Sequence, residues 1–201
     1  MRSAMAPVLV MALLAGGCDR QSPPAAQGNV GAGNTADDVP PPAPDEVAAP
    51  SAAAPKAGSF DATHKGEAAP DFAFRDPAGK DVTLADYRGK PVLLNLWATW
   101  CAPCIKEMPS LDALAAREGA KLQVIALAQD LDPSKVAPFW AKGGYKAIRP
   151  SLDPKIAFST GLGANLPTTI LYDSRGKEVW RVSGAVDWTG AEAAKALAVA
   201  T

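Results

Sequence analysis

The chain has 201 residues, with 20 Lys and Arg against 21 Asp and Glu, for a formal net charge of -1. A near-neutral balance supplies no basic face of the kind nucleic acid requires, so nucleic acid is excluded as a partner. The length suits one domain with additional chain, and 3 cysteines, an odd number, leave one that pairing does not explain.

The N-terminus accounts for the odd cysteine. Met1-Arg2 is a minimal positive start, and residues 5–14 form an apolar run broken only by Pro7. The run is shorter than the roughly 20 residues of a spanning helix and suits the apolar segment of a signal peptide. Ala15-Gly16-Gly17 then precede Cys18. This resembles a bacterial lipoprotein signal, in which residues 1–17 are removed and Cys18 becomes the lipid-bearing N-terminus. The alternative is an ordinary signal peptide cut near Gly17, with Cys18 left as a free thiol. Asp19 resembles a signal for retention in the inner membrane.

Residues 18–65 read as a linker. Pro, Ala, Gly and Ser dominate it, apolar periodicity is absent, and Pro40-Pro41-Pro42-Ala43-Pro44 is its stiffest piece. Such a segment buries too little surface to offset its ordering entropy. A coil of about 45 residues spans roughly 40 Å, enough to hold a domain off a bilayer while keeping it close. His64, at its end, reads as a solvated histidine without a role.

The globular domain is expected over 66–201. Asp71-Phe72-Ala73-Phe74 and Asp81-Val82-Thr83-Leu84 alternate about Pro77-Ala78-Gly79-Lys80, a β-hairpin signal. Residues 92–96 form a short apolar run, which predicts a strand buried on both faces. A helical pattern follows, with Ile105, Met108, Leu111 and Leu114 at three-residue steps, Gly119 as its cap, and a kink at Pro109. Cys101 and Cys104 sit where strand turns into helix. Unpaired N–H groups and the dipole at a helix N-terminus favour an anion, so Cys101 is placed to be the reactive thiolate. Cys104, one turn deeper, is placed to close the ring after Cys101 forms a mixed disulfide. Pro103 falls in the first turn, where its missing N–H costs little. Half of a zinc site and a purely structural disulfide are the bland alternatives. The first lacks further ligands, so no metal is expected, and the second closes too short a loop to stabilise much.

Trp-Ala-Thr-Trp-Cys-Ala-Pro-Cys-Ile-Lys-Glu-Met-Pro resembles the active-site signature W-C-x-P-C-x-x-E-x-P of the TlpA/ResA/CcmG branch of the thioredoxin superfamily. The resemblance extends from about Ala69 to the C-terminus. It implies an α/β thioredoxin-like fold, a mixed central sheet flanked by helices, with an extra N-terminal β-hairpin. It implies a thiol–disulfide oxidoreductase whose redox-active disulfide is Cys101–Cys104, without a cofactor.

Further along, residues 122–127 predict a second buried strand, parallel to the first. Asp132 reads as an N-cap before Pro133, opening a helix through Val136, Phe139 and Trp140 to Gly143-Gly144. Ile148 and its neighbours predict a short strand, and Asp153-Pro154 a short helix. Residues 168–173 and 177–182 predict a hairpin about Ser174-Arg175-Gly176. Thr189 reads as the N-cap of a last, alanine-rich helix.

Three further positions follow from the resemblance. Leu166-Pro167-Thr168-Thr169 resembles the loop whose proline is cis and packs against the cysteines, with the Leu166 backbone open to an extended substrate. Trp100 flanks the same site. Glu107, three residues after Cys104, shares its helical face and resembles the acid that exchanges protons while Cys104 attacks. Ordinary thioredoxins place a buried aspartate where this chain has Asn95, which cannot titrate.

The expected function is therefore a periplasmic, lipid-tethered oxidoreductase, held to the inner membrane and recharged by a membrane electron donor. Its partners are protein thiols and disulfides, with apocytochrome c and metal-site assembly proteins both open. Direction is expected to be reductive. Ala102-Pro103 lacks the histidine that strong oxidants of the superfamily resemble one another in carrying, and Glu107 opposes a thiolate. The alternatives are a peroxiredoxin-type peroxidase, disfavoured because Ala98 stands where that class has Thr, and a copper-binding assembly factor, disfavoured by the spacing and by the lack of a domain histidine.

Overall fold

The computed structural model describes residues 58–199. The expected signal peptide, Cys18 and the expected linker up to residue 57 lie outside the described residues. Strand β1 is Phe60–Asp61, β2 Phe74–Arg75, β3 Asp81–Val82, β4 Val92–Trp97, β5 Gln123–Ala128, β6 Pro150–Leu152, β7 Thr168–Tyr172 and β8 Glu178–Ser183. Among the described residues these form one mixed sheet in the order β1-β8-β7-β4-β5-β6-β2-β3.

Strand β4 is the centre. All six of its residues are buried, because it pairs in parallel with β5 and antiparallel with β7 while both faces are covered. Its alternation divides the core. Leu93 and Trp97 join Cys104, Met108, Leu111 and Leu114 on one face. Leu94 and Leu96 join Phe74, Phe158 and Ile170 on the other.

Helix α1, Ala102–Glu118, packs on the first face through Cys104, Glu107, Met108, Leu111 and Leu114, the three- and four-residue spacing of one helical stripe. Cys101 caps it, Pro109 lies inside it, and Gly119 ends it at φ 54. Helix α2, Val136–Gly143, follows a 3-10 turn at Pro133–Lys135 whose cap Asp132 accepts from the Ser134 N–H. Trp140 of α2 packs against Trp97 with ring centroids 5.2 Å apart. Helices α3, Ala157–Gly161, and α4, Ala191–Leu197, complete the described elements.

Four expectations are corrected. The folded chain begins upstream of Gly66: β1 pairs antiparallel with β8, Phe60 opposite Val182, and the Phe60 ring meets Trp180 edge-on at 4.7 Å. One apolar residue in a two-residue strand has no periodicity, so the linker composition masked it. The β2–β3 hairpin is present, but shorter than the alternation suggested. The strand expected around Ile148 is β6, two residues later, where it pairs with β5. Thr189 does not cap α4. Gly190 does, and the Thr189 N–H and hydroxyl donate instead to Asp187.

Candidate active site

The end of β4 and the start of α1 deliver the two cysteines. They are joined as a disulfide with Cα atoms 5.3 Å apart. Cys101 is 5% exposed and Cys104 is fully covered. The Cys104 N–H donates to Cys101 Sγ at 3.3 Å. A free helix N–H aimed at that sulfur stabilises negative charge on it once the disulfide opens. Trp100, just before the pair, is 70% exposed.

The Leu166–Pro167 peptide bond is cis. The Pro167 carbonyl accepts from Gly184 N–H, and Thr168 Oγ1 donates to the Asn165 carbonyl. Leu166 precedes β7, beyond the last paired residue Thr168, so its backbone is not taken up by the sheet ladder.

Glu107 is buried, and its carboxylate is clamped from two sides. Asn95 Nδ2 donates to Oε1 at 2.7 Å, and the Val186 N–H donates to Oε2 at 3.0 Å. Burial nevertheless dominates. It pushes the carboxyl up from its ordinary 4.5 to about 7, against the pull of the Val186 and Asn95 donors and a further one from the Trp188 side chain. The Trp188 indole N–H acts on the carboxyl from outside hydrogen-bond geometry, and it has no hydrogen-bond partner among the described residues. Asn95 Nδ2 also donates to Thr169 Oγ1 at 2.9 Å. A chain of contacts thus runs from α1 through the centre of β4 to the strand that follows Pro167.

The structure therefore brings Cys101, Cys104, Trp100, Leu166 and Pro167 to one end of the sheet and sets Glu107 beneath the cysteines on α1. Lys106, two positions beyond Cys104, is exposed. His64 lies away from this cluster, its Nδ1 3.1 Å from Glu67 Oε1. Two contributors were not anticipated. Asn95 was set aside as a residue that cannot titrate, yet it holds the acid. Val186 acts through its backbone, which side-chain chemistry does not reveal.

The redoxin family profile matches residues 64–199. The thiol-disulfide oxidoreductase ResA of Bacillus anthracis is 39% identical over 121 residues, spanning 59% of this chain and 69% of the relative. The chain belongs to the redoxin family. It is a thiol–disulfide oxidoreductase of the ResA and DsbE type, and Cys101–Cys104 is its redox pair. Among solved structures, a putative thiol:disulfide interchange protein DsbE from Chlorobium tepidum superposes with a TM-score of 0.62 at 30% identity, covering 68% of this chain and 96% of that one. An exposed lipoprotein thioredoxin, Etrx1, from Streptococcus pneumoniae superposes at 0.56 with 26% identity, covering 63% and 98%.

Proposed function

We propose that this redoxin is a lipid-tethered, periplasmic reductase of disulfides in selected partner proteins. The observation that carries the reading is the pairing of a disulfide at the N-terminus of α1 with a buried carboxyl one turn deeper. In the dithiol form, the Cys101 thiolate attacks a substrate disulfide, forming a mixed disulfide and releasing one substrate thiolate. The Cys104 thiol then gives its proton to Glu107, and its sulfur attacks Cys101 Sγ. The second substrate sulfur leaves with the bonding pair and is protonated from solvent. Two electrons have passed to the substrate, and Cys101–Cys104 is again a disulfide. A carboxyl titrating near 7 exchanges a proton in either direction at neutral pH. The Leu166 backbone offers an extended substrate segment an added-strand contact beside the sulfur.

Direction follows from charge. Ala102 and Pro103 add none beside Cys101, and Glu107 opposes a thiolate, so only the helix terminus stabilises it. A disulfide oxidises others strongly when its dithiol is stabilised, and that stabilisation is modest here. The tether rests on Cys18 and its small-residue context, with the S. pneumoniae lipoprotein as a structurally similar protein. No helix among the described residues is long and apolar enough to cross a membrane.

Cys104→Ser leaves the mixed disulfide on Cys101 unresolved. Its capture from cells, with identification of the partner, tests the reading directly. The expected result is a small set of exported proteins. A glutathione titration placing the potential near -120 mV, with the pair mainly oxidised in cells, would reverse the direction. Cys18→Ser is expected to move the protein out of the membrane fraction. A wild-type protein already soluble, without an acyl mass on its N-terminal peptide, would sink the tether.

A further inference from the structure

Beside the disulfide lies a cavity of about 530 Å³ that the mechanism does not use. Its lining includes Trp100, the residue before Cys101, Leu166, the residue before Pro167, and Leu131, from the loop after β5. The described residues expose three large hydrophobics, Trp100, Leu131 at 75%, and Val199. Two of the three line this one cavity. Exposed apolar surface gathered at a reactive sulfur marks a contact site rather than scatter.

Two more irregularities fall on its lining. Ile156 is the one described non-glycine residue with positive φ, at 47. A β-branched residue is costly there, and the surrounding turn enforces it. The Ile156 N–H donates to the Asp153 carbonyl, and the Asp153 carboxylate takes the Phe158 N–H. Gln129 is buried, and its Oε1 accepts from the Ser159 N–H at 3.2 Å. That bond fixes which end of the amide is which, and Nε2 is left shut off from water with no partner among the described residues.

We propose that this cavity selects substrates by the residue beside their cysteine, and that it takes an uncharged, apolar side chain. The proposal rests on Cys101 exchanging with protein disulfides. A substrate cysteine bonded to Cys101 has its flanking residues between Trp100 and Leu166, and the cavity is the concavity those residues meet. Charge excludes acids. Asp130 and Asp132 line the cavity against a single cation, Lys135, which stands 4.0 Å from Asp132. Both carboxylates are already held, Asp130 by Thr99 and Asp132 by Ser134, so neither swings away.

The test uses symmetric disulfide dimers of one short cysteine peptide, with Leu, Gly or Glu next to the cysteine. Stopped-flow rate constants for their reaction with the reduced full-length protein are compared. Leu is expected to exceed Gly by about tenfold, the low end for an apolar pocket, and Glu to fall below Gly. Leu131→Asp is expected to bring the Leu-to-Gly ratio close to one, and Leu131→Met to preserve it. Equal constants for Leu and Gly, or a ratio that survives Leu131→Asp, would overturn the pocket while leaving the reductase reading intact. Failure to reduce any of the peptides or glutathione disulfide itself would overturn the reductase reading and the pocket with it.

Discussion

At the scale of single residues, Glu107 sets a sign on pH that most carboxylates do not. Its folded value lies above its unfolded one, because burial disfavours the charge. The folded chain therefore binds more protons than the unfolded chain between 4.5 and about 7. Stability falls as pH rises through that window and is level above it. The displacement is worth about 3 kcal/mol at most. Glu107→Gln is expected to remove this slope from urea denaturation of the oxidised protein, and to slow resolution of the mixed disulfide at neutral pH. Asn95→Ala removes a donor that favours the carboxylate, so the Glu107 midpoint rises further. The pH midpoint of the resolving step, followed in stopped flow, should move upward with it. An unmoved midpoint would leave Asn95 a packing residue only.

At the scale of elements, Asp112 ties α1 to the chain between α2 and β6. Its carboxylate accepts from the backbone N–H groups of Lys146, Ala147 and Ile148, at 2.7 to 3.1 Å. Burial pushes the group up, but these three donors hold it below its ordinary value. Asp112→Ala leaves the N–H groups of a partly buried turn unpaired and is expected to cost about 1–3 kcal/mol in urea denaturation. With a depressed folded value, the wild-type contribution is present above 3.8 and is lost as pH falls below it. Nothing in the sequence marks Asp112, since it looks like any helix aspartate and its partners are backbone groups 34 to 36 positions away. The elements legible in advance were those with a period or a punctuating residue. The buried run of β4, the stripe and Gly119 stop of α1, and the hairpin about Ser174-Arg175-Gly176 are of that kind. Helix α3 starts from Ile156 in a left-handed conformation, which no propensity favours and which the Asp153 turn imposes. The cysteines and Glu107 were found because a contiguous signature carries them, and Pro167 because Leu166-Pro167-Thr168-Thr169 resembles a second, separate loop of the same family. Gln129 and Leu131 stand outside it, and only the folding of the β5–α2 loop against α3 and the Leu166 loop gives them a common surface.

For the whole molecule, the short strand β1 matters more than its length suggests. A sheet edge with free N–H and C=O groups invites pairing with other chains, and β1 covers the β8 edge. Gly58 and Gly66 each donate to it as well, to the carbonyls of Ser183 and Glu178 at 2.8 Å. The chain then crosses to the far side, where the Phe72 ring meets Phe158 and β2 joins β6. A protein truncated to begin at Gly66 loses the Phe60–Trp180 contact and bares the edge. Its Tm is expected to fall by about 5 °C or more relative to one beginning at Gly58, with more aggregate after heating. Equal Tm values would make β1 ornamental.

The Val186 N–H that ends on Glu107 Oε2 is also an indicator built into the backbone. A proton donated to a carboxylate resonates further downfield than one donated to a neutral acid, so this one amide signal should titrate with the buried carboxyl. In the oxidised protein its midpoint belongs near 7. When the pair is reduced and a thiolate forms nearby, like charge should push that midpoint higher. One nitrogen–proton cross-peak would then report both the acid and the redox state of the cysteines above it.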